Sequence, residues 1–264
     1  LPCSSAHAAI SIRRSAGAEH RIFPRRHLRQ DGVMISSWQH PGFLARALDT
    51  LFSGHCRFCS APATGDGLCS GCHEDLPWIT ASCRRCGLPL ASGAPVCAAC
   101  LSHPPPFDHT VALWRYEAGI ETLIRRFKLH GDLAAGRLLT RLAARELGTR
   151  QTPCPGPLVA MPMHPRRRRR RGFNQSALIA SWLGPVVRKP LVIRHRDTPP
   201  QRRLDAEGRC HNLKGAFRLC RRPPAAVTLV DDVMTTGASL TELAHCLRAG
   251  GCRRIDVVVL ARAL

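Results

Sequence analysis

The stretch Val227-Thr228-Leu229-Val230-Asp231-Asp232-Val233-Met234-Thr235-Thr236-Gly237-Ala238-Ser239 decides how the chain is read. A β-branched, apolar run bounded by charge predicts a buried parallel strand ending in two carboxylates; a small, hydroxyl-rich turn then opens a helical pattern from Leu240. Thr235 to Ser239 can direct successive backbone N–H groups and hydroxyls into one concavity at a helix N-terminus, where the dipole favours a phosphate. Asp231 and Asp232 stand too close to that anion to bind phosphate themselves. They are well placed to accept hydrogen bonds from the hydroxyls of a sugar. The ligand implied is a ribose 5-phosphate.

Mostly apolar residues, two acids, two more apolar residues and Thr-Thr-Gly-Ala-Ser resemble the phosphoribosyl-pyrophosphate (PRPP) motif of type I phosphoribosyltransferases. The resemblance implies that Asp231 and Asp232 hold the 2- and 3-hydroxyls, and that Thr235, Thr236, Gly237, Ala238 and Ser239 hold the 5-phosphate of PRPP bound with Mg²⁺.

At 264 residues the chain has room for one domain of ordinary size and a smaller one. No apolar run approaches membrane-spanning length and no signal-peptide core is visible, which predicts a soluble, cytoplasmic protein. The net charge of +21 is uneven. Residues 158–264 carry 21 Lys and Arg against 7 acids, whereas residues 34–157 carry 12 against 9. The excess belongs to the part holding the phosphate motif and suits polyanions, PRPP and nucleic acid alike. Residues 1–33 show no sustained period and are rich in Arg, Ser, Ala and His. They are expected to be an over-extended or disordered leader, the alternative being an organelle-targeting peptide. Leu44, Leu48 and Leu51 then share one face of a short amphipathic helix over 40–55.

Four CxxC pairs follow: Cys56/Cys59, Cys69/Cys72, Cys83/Cys86 and Cys97/Cys100. Each CxxC turn offers two thiolates to one tetrahedral ion, and two turns close a structural zinc site, so eight cysteines imply two ions. Nine residues separate the first two pairs and ten the last two, which favours sequential pairing; pairing first with third and second with fourth is the alternative. A region so short and loop-rich cannot bury enough apolar surface alone, so zinc is expected to be structural. His55, His73 and His103 flank the pairs without being needed as ligands. Cys154, Cys210, Cys220, Cys246 and Cys252 have no CxxC partner and read as ordinary thiols.

Two ribbons ahead of a phosphate-site domain resemble the ComF/GntX proteins, and later segments carry the resemblance further. The strand Thr110 to Tyr116, the helix Gly119 to Leu129, and the hinge Lys128-Leu129-His130-Gly131-Asp132 follow the family order, with Leu129 where an aromatic is common. A second helix, Ala134 to Leu147, is expected to end at Gly148. The core strand within 157–165 breaks into a proline-bracketed loop, six arginines (Arg166 to Arg171), and Gly172-Phe173-Asn174-Gln175. Arg171, Gly172, Phe173, Asn174 and Gln175 match the family's signature letter for letter. The resemblance makes this a pyrophosphate or substrate loop, and Arg forks suit phosphate oxygens. Arg166 to Arg170 are less specific and suit contact with a nucleic-acid backbone.

A helix near Ser176 to Leu183 and a strand near Leu191 to Ile193 precede a long polar stretch in which Thr198, Gln201, Leu204, Arg209, Asn212, Ala216 and Phe217 match the family pattern. Thr198, Gln201, Arg209 and Asn212 would belong to a flexible loop closing over PRPP to exclude water. The helix Leu240 to Ala249 and the buried strand Ile255 to Arg262 complete the alternation.

The expected architecture is α/β: a parallel-sheet, Rossmann-like type I phosphoribosyltransferase domain over 104–264, with a helix and double zinc ribbon over 34–103. Two functions follow from the resemblance. One is a PRPP-dependent transferase of unread acceptor, associated with competence and DNA uptake. The other is a PRPP- or nucleotide-sensing factor that associates with single-stranded DNA and DNA-uptake proteins without turnover. Only 13 Phe, Trp and Tyr residues are present, which leaves little stacking surface for a dedicated single-strand binder.

Overall fold

A computed structural model describes residues 54–63, 67–91, 93–152, 154–187, 189–197 and 213–264. The chain divides into units 1–33 and 34–264, and every described residue belongs to the second. The leader, the helix expected over 40–55, and Thr198, Gln201, Leu204, Arg209, Cys210 and Asn212 lie outside the described residues.

Four parallel strands form the central sheet: β1 (His109–Arg115), β2 (Leu158–Ala160), β5 (Ala226–Met234) and β6 (Arg254–Arg262), in the order β1-β6-β5-β2. On β6 the side chains alternate with period two. Val257 and Val259 enter one core, Val258 and Leu260 the other, so the run from Val257 to Ala261 is apolar because both faces are covered. One face carries α3 (Ala118–His130), α4 (Leu133–Thr149) and α6 (Gln175–Leu183). The other carries α7 (Ala238–Ala249) and a small antiparallel pair, β3 (Val192–Arg194) with β4 (Phe217–Leu219). The expected α/β parallel sheet is present.

Helix α3 follows its sequence period, burying Ile120, Leu123, Ile124 and Phe127. Phe127 is fully buried beside Phe173 and Trp182, at ring-centroid distances of 5.4 and 6.1 Å. Helix α4 passes through Gly148 to Thr149 rather than stopping at the glycine. The reversal comes later, at Gln151 with φ 49°, because Arg150 is held to Glu146 at 2.6 Å and the Thr152 N–H donates to the Leu147 carbonyl. The arginine run is likewise helical rather than a loop. α5 (Pro165–Arg171) starts with proline at its first position and the His164 ring accepting the Arg166 N–H, and arginine is a good helix former. Strand β5 also exceeds expectation. It continues through both acids to Met234 because β6 goes on pairing with it, Asp231 opposite Val259 and Met234 opposite Arg262.

Both sheet edges are covered, which removes the open ladder that would otherwise invite association. Beside β1, the Ile79 N–H donates to the Leu113 carbonyl at 2.8 Å and the Arg115 N–H to the Pro77 carbonyl at 2.9 Å. The segment between the second and third CxxC pairs is thus an added antiparallel edge. Beside β2, the Leu158 N–H donates to Pro185 and the Val187 N–H to Leu158. Among the described residues no helix is long and apolar enough to cross a membrane.

Phe127 anchors α3, α4 and the turn holding Phe173 at once. Phe127→Ala is expected to cost about 3–5 kcal/mol, read as a lower urea midpoint with unchanged slope; a cost below about 1 kcal/mol would mean that this junction closes without it.

Candidate functional site

The cysteines assemble in sequential order. Cys56, Cys59, Cys69 and Cys72 form one set and Cys83, Cys86, Cys97 and Cys100 another, with all sulfurs of a set within 4.8 Å of one another. Cys59 and Cys69 Sγ lie 3.5 Å apart and Cys86 and Cys97 Sγ 3.7 Å, close to the separation of about 3.8 Å for two thiolates on a tetrahedral ion with Zn–S near 2.3 Å. Short helices α1 (Ser70–Glu74) and α2 (Ala98–Ser102) each begin just after a ligand cysteine. The Cys72 N–H points at Cys69 Sγ and the Cys97 N–H at Cys83 Sγ. Burial opposes ionisation of Cys56 and Cys83, yet backbone N–H groups outweigh it and bring them down to about 6 and 7. Burial and neighbouring thiols push Cys72 and Cys100 up. Four crowded thiols split in this way need a cation to ionise together, and both sets fit a closed structural zinc ion.

The second chemical centre is a cleft of about 500 Å³ at the carboxyl ends of the parallel strands. Asp231, Asp232, Thr235 to Ser239, Arg171, Asn174 and Gln175 all line it, so two stretches distant in sequence meet there. Gly237 makes the turn into α7 at φ 77°, a left-handed conformation that favours glycine. The Thr236 hydroxyl accepts the Ala238 N–H at 3.4 Å. Helix α7 then directs its N-terminus at the cleft.

Of the signature residues, Gly172 and Phe173 do not line the cleft. Gly172 ends α5 at φ 87°, and Phe173 packs on Phe127. Asn174 is chiefly a scaffold. Its Oδ1 accepts the Ser176 and Ala177 N–H groups to start α6, and its Nδ2 donates to the Met161 carbonyl at 3.0 Å. The Arg171 guanidinium donates to Gln175 Oε1 at 2.7 Å.

Several contributors were not singled out as site residues by the sequence. Lys128 Nζ lies 3.0 and 2.9 Å from the two oxygens of buried Asp232. The Ser176 hydroxyl donates to Asp231 Oδ1 at 2.7 Å. Arg194, at the end of β3, is 8% exposed and stands over the Phe217 ring at 5.9 Å while lining the cleft. Burial, then the nearby Arg167 charge, lowers it to about 10, so it remains a cation. Lys128 precedes the Gly131-Asp132 hinge, which was the available signal; Arg194 had none beyond its place at a strand end. Lysine and arginine thus face two acids across one cleft. Such a site can hold a ligand offering hydroxyls to the acids and phosphates to the cations.

Burial, together with the adjacent Asp232 charge, raises Asp231 to about 7, against the opposing effects of Ser176 and Lys128. From its ordinary 3.8 up to about pH 7 the folded chain therefore keeps a proton that the unfolded chain has lost, and stability falls as pH rises through that window. Asp231→Asn is expected to raise Tm only a little at pH 5, where the loss has just begun, and by clearly more at pH 8, where it is complete. A scan showing the same Tm difference at both values would contradict a strained carboxylate.

Residues 47–101 match the double zinc ribbon domain family. The chain is 34% identical to "DNA utilization protein YhgH" of Salmonella typhi, over 80% of this chain and 98% of that protein. It is 36% identical to "Competence protein F" of Haemophilus influenzae, over 79% and 96% of the two chains. Similarity to "Competence protein ComFC" of Bacillus subtilis is 26% over 70% of this chain and 79% of that one. At such identity over nearly the whole length of the first two, the chain belongs to the ComF family, that of DNA utilization protein YhgH and competence protein F.

Proposed function

We propose that the cleft binds PRPP with Mg²⁺, and that the protein works as a phosphoribosyltransferase-like component in the use or uptake of external DNA. One observation carries the ligand reading: Asp231 and Asp232, the turn Thr235 to Ser239 and the cations Arg171, Arg167 and Arg194 converge on one cleft. The names of the relatives carry the biological setting. In this reading residues 104–264 are the phosphoribosyltransferase-like domain and residues 34–103 the helix with its double ribbon.

The acids accept the 2- and 3-hydroxyls of the ribose, and the turn and the N-terminus of α7 hold the 5-phosphate. Arg171, Arg167 and Arg194 neutralise the pyrophosphate. Mg²⁺ would be carried by the phosphate oxygens of PRPP and would offset their charge beside Arg171, Arg167 and Arg194. In transfer, the anomeric C–O bond breaks with its electron pair leaving on pyrophosphate, and an acceptor nucleophile bonds to the same carbon. The carboxylates stabilise the positive charge that develops on the ring. Thr198, Gln201, Arg209 and Asn212 would belong to the segment closing over it.

A second reading, binding without turnover beside single-stranded DNA, is favoured by the division of α5. Arg167 and Arg171 line the cleft, as does the more exposed Arg170, whereas Arg166, Arg168 and Arg169 are exposed away from it. The outward arginines suit a phosphate backbone.

Calorimetric titration of PRPP and Mg²⁺ into the zinc-loaded chain is expected to give micromolar affinity, abolished by Asp231→Asn with Asp232→Asn. Lack of binding by the folded parent would sink the ligand reading. Pyrophosphate release on adding candidate acceptors, lost in Asp232→Asn, separates transfer from sensing.

A further inference from the structure

Arg262, the last residue of β6, stands between the second cysteine set and the phosphate turn. It is 9% exposed. Its Nε donates to the Cys86 carbonyl at 3.2 Å, inside the Cys83–Cys86 knuckle. Its Nη1 donates to the Met234 carbonyl at 3.1 Å and also to the carbonyls of Thr235 and Ala263. One rigid guanidinium therefore grips a metal knuckle with one edge and the entry to the phosphate turn with another.

Two physical consequences follow. In a trans peptide the C=O and N–H point to opposite sides. Holding the Met234 and Thr235 carbonyls on Arg262 aims the N–H groups of Thr235 and Thr236 away from it, the direction a phosphate cradle requires. The second consequence is electrostatic. A zinc ion with four thiolates carries a formal charge of about −2, and the cation of Arg262 is the complementary charge beside Cys86, Cys97 and Cys100. The knuckle is in turn fastened to β1: the Thr110 hydroxyl donates to the Arg85 carbonyl at 2.6 Å, the Thr110 N–H to Arg84, and Arg85 to the Phe107 carbonyl.

We propose that Arg262 is a positioning residue through which the second zinc centre sets the geometry of the phosphate turn, so that zinc at Cys83, Cys86, Cys97 and Cys100 and ligand in the cleft stabilise each other. The inference rests on reading the cleft as a ribose-phosphate site. Linkage makes the effect reciprocal: whatever zinc does for the ligand's affinity, the ligand does for zinc. Lysine cannot replace arginine here, since one ammonium cannot span the Cys86 carbonyl and the turn together.

The test is hydrogen exchange of the zinc-loaded full chain, followed in peptides covering 83–100 and 234–239, with and without PRPP and Mg²⁺. Arg115→Gln serves as the control, because Arg115 is the register partner of Arg262 but pairs with Glu117 at the half-exposed edge. In the parent, ligand is expected to slow exchange in both peptides. In Arg262→Lys, unliganded exchange rises in both, the ligand protects only 234–239, and affinity falls about tenfold, within the usual range for coupled sites. Binding by the parent with no protection of 83–100 overturns the inference while leaving the ligand reading intact, and needs no variant to fold. Failure of the parent to bind PRPP overturns the ligand reading and this coupling together. Unliganded Arg262→Lys exchanging like the parent in 234–239 overturns the positioning role directly.

Discussion

The parallel pairing of β5 with β6 is the contact on which the other features depend. It continues past the point where an acidic strand end would be expected to fray, carrying Asp231 and Asp232 inside the ladder and Met234 opposite Arg262. A carboxylate in a ladder cannot retreat to water by local unwinding. Asp231 therefore keeps its place through the Ser176 hydroxyl and Asp232 through Lys128, and both partners come from helices packed on the same sheet face. The strand pair thus dictates that the acids be costly, and the helices supply what offsets the cost.

This arrangement brings acids and cations together in a cleft whose walls also include Leu129, Met161 and Leu240. Three of its cations are held at their charged ends by neighbouring side chains. Arg194 lies over Phe217, Arg171 is joined to Gln175, and Lys128 reaches Asp232 from the last turn of α3. Groups fixed before a ligand arrives lose little freedom when it binds, which favours affinity for any ligand that matches their charges.

Much of this was legible in the sequence where the determinant is local. The strand–turn–helix around Asp231, the four CxxC turns and the α3 period each depend on neighbours within a few residues. The sequential cysteine pairing followed from loop length. Legibility failed where a second segment decides. Lys128 meets Asp232 from 104 residues away, and Ser176 meets Asp231 from 55. The length of β5 was set by its partner strand, not by its own composition. Gly148 looked like a helix end, but the Arg150–Glu146 pair and the reversal at Gln151 moved the end downstream. Phe173 shares a motif with Arg171 and Gln175 and does different work, because the turn between α5 and α6 packs Phe173 on Phe127 while the helix ends on either side of it face the cleft.

The ribbons are an integral part of this fold rather than an appendage. A four-stranded sheet with β1 at its edge would expose that strand's unpaired groups; the segment Pro77 to Ile79 covers them, and Trp78 packs on buried Trp114 at 5.0 Å. That segment lies between the two cysteine sets, so each end is held by a knuckle. The first knuckle seats Phe58 against Gly119, where an added Cβ would stand 2.6 Å from the ring, and so fixes the start of α3. The second fixes β1 and Arg262. The last turn of α3 brings Lys128 to one acid, and Arg262 reaches the start of the turn Thr235 to Ser239. A metal that closes a knuckle therefore lowers the freedom of a sheet edge, a helix start and a strand end together, which is a physical reason for placing structural zinc beside the cleft.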